Sequence, residues 1–327
     1  MLVPLVQRHP RYTIASGIGF LTLLLLLASR QEAFPGSGFL GPPHHGPPPG
    51  FDVAPHGSVG AMIADAEHDY DIFVGRRNAM IREMGTDPTK VEAWPVLSAK
   101  FHMYTLWDFF LPAFRCPHKV KRVGTLGDGG KYVCGLEKVA EQRKCVIYSV
   151  GINGESSFEA ELLQSTKCEI WGYDYSVKEF GPEIENFPDL KSRGHFYPYA
   201  LGGKDDHGPG ANPPFYTLPT LMQMNGHQFI DILKIDIEGF EFSLLTDLIK
   251  AYKGKPLPFG QLQLEVHAWS KSFVEVLSFW RDLEEAGLRP FWTEPNLVYL
   301  NLYRGHAPDL SEYSFINIKG DHAIIRD

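Results

Sequence analysis

Three patterns of apolar residues divide this chain. The first is continuous: Tyr12 to Ala28, YTIASGIGFLTLLLLLA, carries no charge and is rich in leucine. The second repeats at helical spacing. Ile63, Ala66, Tyr70, Phe73 and Met84 fall roughly along one side of a helix over 61–84, which Gly85 ends. Asp87-Pro88 then has the cap-then-proline order that starts a second helix. An aromatic-rich segment follows, from Trp94 through Trp107 and Phe110 to Phe114. The third pattern is a series of short β-branched and aromatic runs at 146–148, 168–173, 195–201, 229–235, 261–267, 290–293 and 314–318, each predicting a strand. Helical stretches lie between them. Phe158, Leu162 and Leu163 form a stripe behind Glu155-Ser156-Ser157, and 218–224, 240–249 and 271–286 give further helices, the last closed by Gly287. Strands alternating with helices predict a doubly wound α/β sheet whose ligand crevice lies along the carboxyl ends of the strands.

Candidate chemistry gathers at those ends. Gly151 and Gly154 follow the first strand directly. Glycine lets backbone approach a ligand closely, and the next helix offers N-terminal N–H groups to polar or anionic atoms. Asp174 ends the second strand, 23 residues beyond Gly151, where an acid binds the ribose hydroxyls of a nucleoside. Asp236 and Glu238 stand at the end of the 229–235 run, on one side if the chain is extended; Glu265 and His267 are related in the same way. Upstream, RVGTLGDGGKYVC (122–134) reads as a hairpin turning at Asp128-Gly129-Gly130, so Asp128 and Lys131 flank a loop that is a candidate to line the site.

Composition narrows the class. A net charge of −8 argues against nucleic acid as the main partner. The four cysteines, Cys116, Cys134, Cys145 and Cys168, form no C-x-x-C pair, which argues against a zinc ribbon. Arg8, His9 and Arg11 precede the apolar run, as in a signal-anchor helix or a cleaved signal peptide. The anchor reading puts the basic side in the cytosol and the rest in the secretory lumen, as a single-pass type II protein, most simply of the Golgi; cleavage would make it secreted. Residues 34–60 are a Pro/Gly-rich tether, and its His44-His45 pair reads as solvated.

In combination, RVGTLGDGGKYVC, VGINGESSFE, the strand end at Asp174, DILKIDIEGFE and the EVH strand resemble the S-adenosylmethionine-dependent methyltransferases of the methyltransferase-like protein 24 group, relatives of FkbM-type O-methyltransferases. The resemblance runs from about Arg115 to the C-terminus. It implies a class I methyltransferase fold, a seven-stranded sheet with its last strand antiparallel. It also implies that Gly151 and Gly154 cradle the methionine moiety, Asp174 holds the ribose, Ala200 and Leu201 lie near the adenine, and Asp236 lies near methyl transfer. Glu155 and Tyr175, beside these positions, join the cofactor set. The chain then divides into a tail and signal or anchor segment (1–30), a linker (31–60), a helical stem (61–114) and a methyltransferase domain (115–327). The stem either packs on the catalytic core or mediates self-association.

Methyl transfer to a neutral hydroxyl benefits from a general base. His267 is the expected base because its ordinary pKa is near working pH, with Asp236 or Glu265 orienting it and Glu238 beside them. These four residues could also hold a divalent metal, but the site is assigned without one. The expected acceptor is a small hydroxyl compound or a glycan. Two alternatives stand: a nicotinamide-dependent oxidoreductase, which would want the G-x-G-x-x-G that is absent here, and an inactive binding protein on the same fold. In an oxidising lumen Cys116 and Cys134, flanking the GDGG segment, are the expected disulfide; Cys145 and Cys168, at the starts of neighbouring strands, are expected to be simply buried.

Overall fold

The computed structural model describes residues 57–95 and 103–327. The apolar run at 12–28, the tether as far as residue 56 and the anchor reading drawn from them lie outside the described residues. No helix among the described residues is long and apolar enough to cross a membrane.

Helix α1 (Val59–Met84) begins where the Ser58 hydroxyl accepts from the N–H of Ala61, and it stops at Gly85. The predicted second helix is only a 3-10 turn, Pro88–Lys90, capped by Asp87. Pro95 follows shortly and disfavours helical backbone at Trp94, which leaves no room for an α-helix. A second 3-10 turn spans Leu106–Phe109. The predicted hairpin is present as β1 (Val120–Val123) and β2 (Lys131–Cys134). Then come α2 (Leu136–Ala140), β3 (Val146–Val150), α3 (Ser157–Ser165), β4 (Glu169–Tyr173), the short helices α4 (Pro182–Glu185) and α5 (Pro188–Lys191), and β5 (Gly194–Tyr197). Next are β6 (Ala200–Leu201), β7 (Phe215–Tyr216), α6 (Leu218–Asn225), β8 (Ile230–Ile235), α7 (Glu241–Ala251) and β9 (Phe259–His267). The chain ends with α8 (Phe273–Ala286), β10 (Leu288–Pro295), α9 (Leu297–Leu302) and β11 (Leu310–Asn317).

Seven strands form one sheet in the order β10-β11-β9-β8-β3-β4-β5. β11 runs antiparallel to both neighbours, and the other neighbouring pairs are parallel. The run at 195–201 is not one strand: it breaks after Tyr197, and Ala200–Leu201 pairs instead with β7. Pro198 lies at the break and has no N–H to give a ladder. Alternate side chains serve the two faces of the sheet. Ile147, Ile170 and Ile232 pack with α1 and α3, whereas Tyr148, Leu233 and Leu264 pack with α6, α7 and α8.

β9 is buried along its whole length although it reads QLQLEVH near its end. Its polar side is covered by the hairpin. Gln261 bonds both the N–H and the C=O of Cys134, and Gln263 donates to the carbonyl of Tyr132. The backbone of β2 thus pairs both polar groups of the Gln261 amide and the N–H side of Gln263, whose Oε1 is left without a partner. α1 is fastened to the far end of the same body. Arg77, 3% exposed, makes two 2.8 Å bonds to Glu284 of α8, and the Tyr70 hydroxyl donates to that carboxylate at 2.6 Å. The stem helix therefore packs on the core.

Both pairs of cysteines are bridged. Cys116–Cys134 is the expected disulfide. Cys145–Cys168 corrects the expectation of free buried thiols: the two residues immediately precede the parallel strands β3 and β4, which brings their Cα atoms to 4.6 Å.

Candidate functional site

The turn after β3 is built by two glycines with different duties. Gly151 (φ +83°) lies so close to β8 that an added Cβ would meet the carbonyl oxygen of Asp236 at 1.8 Å. Its lack of a side chain is used against the protein's own backbone. Gly154 (φ +75°) has open space around it and serves the left-handed turn. Four N–H groups of this turn, those of Gly151, Ile152, Asn153 and Glu155, already have protein partners. Those of Ile152 and Asn153 donate to Asp174 Oδ2, each at 2.8 Å, and the N–H and hydroxyl of Ser176 donate to Oδ1, each at 2.7 Å. At the start of α3, Ser157 N–H donates to Glu155 and Ser156 N–H to Glu183. The helix N-terminus offered by the sequence pattern is therefore occupied by the protein's own acids.

A cavity of about 340 Å³ opens along the carboxyl ends of β3, β4 and β8 and reaches β9, within the roughly 300–1,000 Å³ of small-molecule sites. Gly151, Asp174, Tyr175, Ala200, Leu201, Asp236, Glu238, Glu265 and Asp128 all line it. Gly154 does not. Glu155 and Lys131 line a smaller neighbouring cavity of about 120 Å³ with Asp128, Gly151 and Asp236. His267 lines neither: it is 2% exposed and sits behind Glu238 and Glu265. Tyr199, Pro213, Phe215 and Phe240 add an apolar wall that the strand pattern did not point to. Glu238 is not in extended geometry; β8 ends at Ile235 and Glu238 has φ +55°, so the two-residue alternation does not relate it to Asp236.

The far end of the cavity is crowded with acids. Glu265 of β9, Glu312 of β11 and Glu294 of β10 are consecutive cross-strand partners. Like charges placed directly opposite one another repel. The hairpin answers this: Lys131 pairs with Glu312 and lies 4.0 Å from Asp236, while Arg122 Nε lies 3.2 Å from Glu294. Burial works against the charge on Lys131, but Glu312, Asp236 and Glu265 outweigh it and hold the ammonium well above the ordinary lysine value. Burial would likewise raise Asp236, but Lys234 and Lys131 outweigh it and keep that carboxyl low. Burial, then Asp236 and Glu312, push Glu265 up to about 9.

His267 Nδ1 lies 3.0 Å from Glu241 Oε1, an oxygen that also accepts the N–H groups of Ile237 and Gly239 at 2.9 and 3.2 Å. Burial disfavours the charged ring, but Glu241, Glu265 and Asp236 outweigh it and raise the imidazole to about 9. That value lies above the ordinary imidazole pKa on which the choice of His267 as base rested. Glu241, Glu312 and Lys234 belong to the same cluster and were not foreseen. Only Glu241 left a signal, three residues after Glu238 at the start of a predicted helix.

The strand order, with one antiparallel strand inserted beside β9, is that of the class I methyltransferases. The chain belongs to the family described as a methyltransferase domain, whose sequence profile matches residues 63–307, a stretch that takes in most of α1. It is 27% identical over 184 residues to the probable methyltransferase-like protein 24 of Rattus norvegicus, covering 52% of this chain and 48% of that protein. The Homo sapiens protein of that name is 26% identical over 176 residues, covering 49% and 46%. The chain thus spans about half the length of the curated relatives it matches. Among solved structures, the METTL16 methyltransferase domain aligns with a TM-score of 0.33 at 8% identity, over 57% of this chain and 65% of that one, too distant to carry an argument.

Proposed function

We propose that this protein is an S-adenosylmethionine-dependent O-methyltransferase acting on a hydroxyl acceptor, a small molecule or a glycan, in the secretory lumen. The observation that carries the reading is the single cavity joining Gly151, Asp174, Ala200 and Leu201 to Asp236 and Glu265. Ala200 and Leu201 would hold the adenosine end of the cofactor, and Gly151 and Asp236 the methionine end. S-adenosylmethionine bound there would supply an electrophilic methyl group, with its sulfur as leaving group taking the carbon–sulfur pair. The proton of the acceptor hydroxyl would pass to water in the open crevice. Most of the rate comes from holding oxygen, carbon and sulfur in line. Asp236, ionised and at the cavity wall, is the group to orient the acceptor. The two disulfides support an oxidising compartment, and the Tyr12–Ala28 run supports a membrane tether.

Equilibrium titration with S-adenosylmethionine, S-adenosylhomocysteine and NAD tests the cofactor. Saturable binding of the first two, and none of NAD, is expected. Binding of NAD alone would turn the reading to an oxidoreductase, and binding of none would leave an inactive fold.

A further inference from the structure

We infer that Asp236, Glu265 and His267 form a binding site for a divalent transition cation of the Mn²⁺ or Zn²⁺ kind, open to the crevice through the two carboxylates. One ligand atom from each residue lies within 4.8 Å of the others. Donors around such an ion stand at roughly 2.0–2.2 Å from it, so only small side-chain movements are needed to close the set. One nitrogen and two carboxylates suit first-row cations.

The histidine is set up as a ligand by the residues behind it. Glu241 Oε1 takes two backbone N–H groups as well as His267 Nδ1, so it has no proton to give and the ring must carry its N–H at Nδ1. In the neutral ring that leaves the lone pair on Nε2. Nε2 makes no hydrogen bond, and its neighbours Glu238 Oε2 and Glu265 Oε2 stand at 3.6 and 3.8 Å. A ring nitrogen that faces two carboxylates, each just beyond hydrogen-bond length, is matched by a cation between them. A carboxylate bonded to the far nitrogen is the usual orienting partner of a metal-bound histidine. Glu265 is held in the same manner, with Asn296 donating to its Oε1 at 2.7 Å. The five carboxyls of Asp236, Glu238, Glu241, Glu265 and Glu312 outnumber the Lys131 and Lys234 ammoniums and the His267 ring that face them.

The use of this ion rests on the methyltransferase reading, and its binding does not. Its free coordination positions face the cavity. An acceptor hydroxyl placed there is acidified, releases its proton to solvent, and attacks the methyl carbon as the carbon–sulfur pair returns to sulfur. The acceptor class narrows to hydroxyl compounds able to reach the ion, with adjacent oxygens favoured as chelators.

The test is to strip the full chain with a chelator, remove the chelator, and titrate Mn²⁺ by electron paramagnetic resonance and Zn²⁺ by calorimetry. Stoichiometric binding is expected, weakened at least tenfold in His267→Ala and Glu265→Gln and about 10- to 100-fold in Glu241→Gln. Circular dichroism identifies the variants that remain folded; if His267→Ala does not, Glu265→Gln decides. Absence of saturable binding of either ion, or undiminished affinity in the folded variant that decides, overturns the inference. The same samples are titrated with S-adenosylmethionine. Cofactor binding without ion binding sinks the cation alone, and ion binding without cofactor binding sinks the enzyme reading alone.

Discussion

Asp174 and Glu265 are buried acids at the same edge of one sheet, and their surroundings are opposite. Asp174 receives four donors from its own chain: two turn amides on one oxygen, and the amide and hydroxyl of Ser176 on the other. Glu265 receives one side-chain donor, from Asn296, and faces Glu312 across the sheet. A carboxylate saturated by its own chain fixes the shape of a loop. A row of carboxylates short of donors is stable only with positive charge brought to it. The hairpin brings part of that charge through Lys131 and Arg122. The Asp174 end of the crevice is thus completed by the protein's own donors, and the Glu265 end is short of them.

The largest expected effect comes from removing charge at the crowded end. Lys131→Met leaves Glu312 and Asp236 facing each other without it and should cost about 3–5 kcal/mol of stability in urea unfolding. Adding Glu312→Leu should recover a good part of that; a double variant no better than the single one breaks the account of the acid row. Next is Gly151→Ala, at the contact between the two regions. The new methyl cannot coexist with the Asp236 carbonyl, and a loss of about 2–4 kcal/mol is expected, read as a lower thermal midpoint. An unchanged midpoint would mean the turn is free to move. Asp174→Ala should cost about 1–3 kcal/mol by orphaning turn amides, and it should weaken S-adenosylmethionine binding by roughly 5- to 150-fold. Asp174→Asn, which keeps one acceptor oxygen, should do less of both.

The smallest effect is in pH. Burial would raise the Asp174 carboxyl, but hydrogen bonds from Ser176, Asn153 and Ile152 outweigh it and hold its pKa below the ordinary value. A group depressed on folding contributes stability that is fully present above its unfolded pKa of about 3.9 and is lost as pH falls through the folded value. The stability gap between the parent and Asp174→Asn should therefore narrow only below about pH 4. A gap that closes between pH 7 and 5 would show that another group controls the loop.

The fold was legible because each strand of this sheet carries its own apolar run and each helix its own stripe. Ala200–Leu201 were assigned to the wrong sheet because apolar character alone does not register that Pro198 interrupts a ladder. That Gly151 and Asp174 line the crevice was legible for a local reason: each stands at the end of a strand. The acid-rich end was legible only in part. Asp236, Glu265 and His267 sit at strand ends and were found. Lys131 was named as a loop candidate, but its pairing with Glu312 was not legible, because sequence places the hairpin beside no strand in particular; Glu312 and Glu294 enter through the register of antiparallel strands. The burial of His267 behind Glu238 and Glu265, and the raising of its pKa by Glu241, were not legible either, because these neighbours come from other elements.

The central claim is that one crevice binds the cofactor with its sulfur toward Asp236. A crystal structure of the chain with S-adenosylhomocysteine tests it most directly. The account predicts adenine against Ala200 and Leu201, ribose beside Asp174, and the sulfur between Gly151 and Asp236. Ligand density anywhere else, or a crevice that remains empty at saturating ligand, would contradict it.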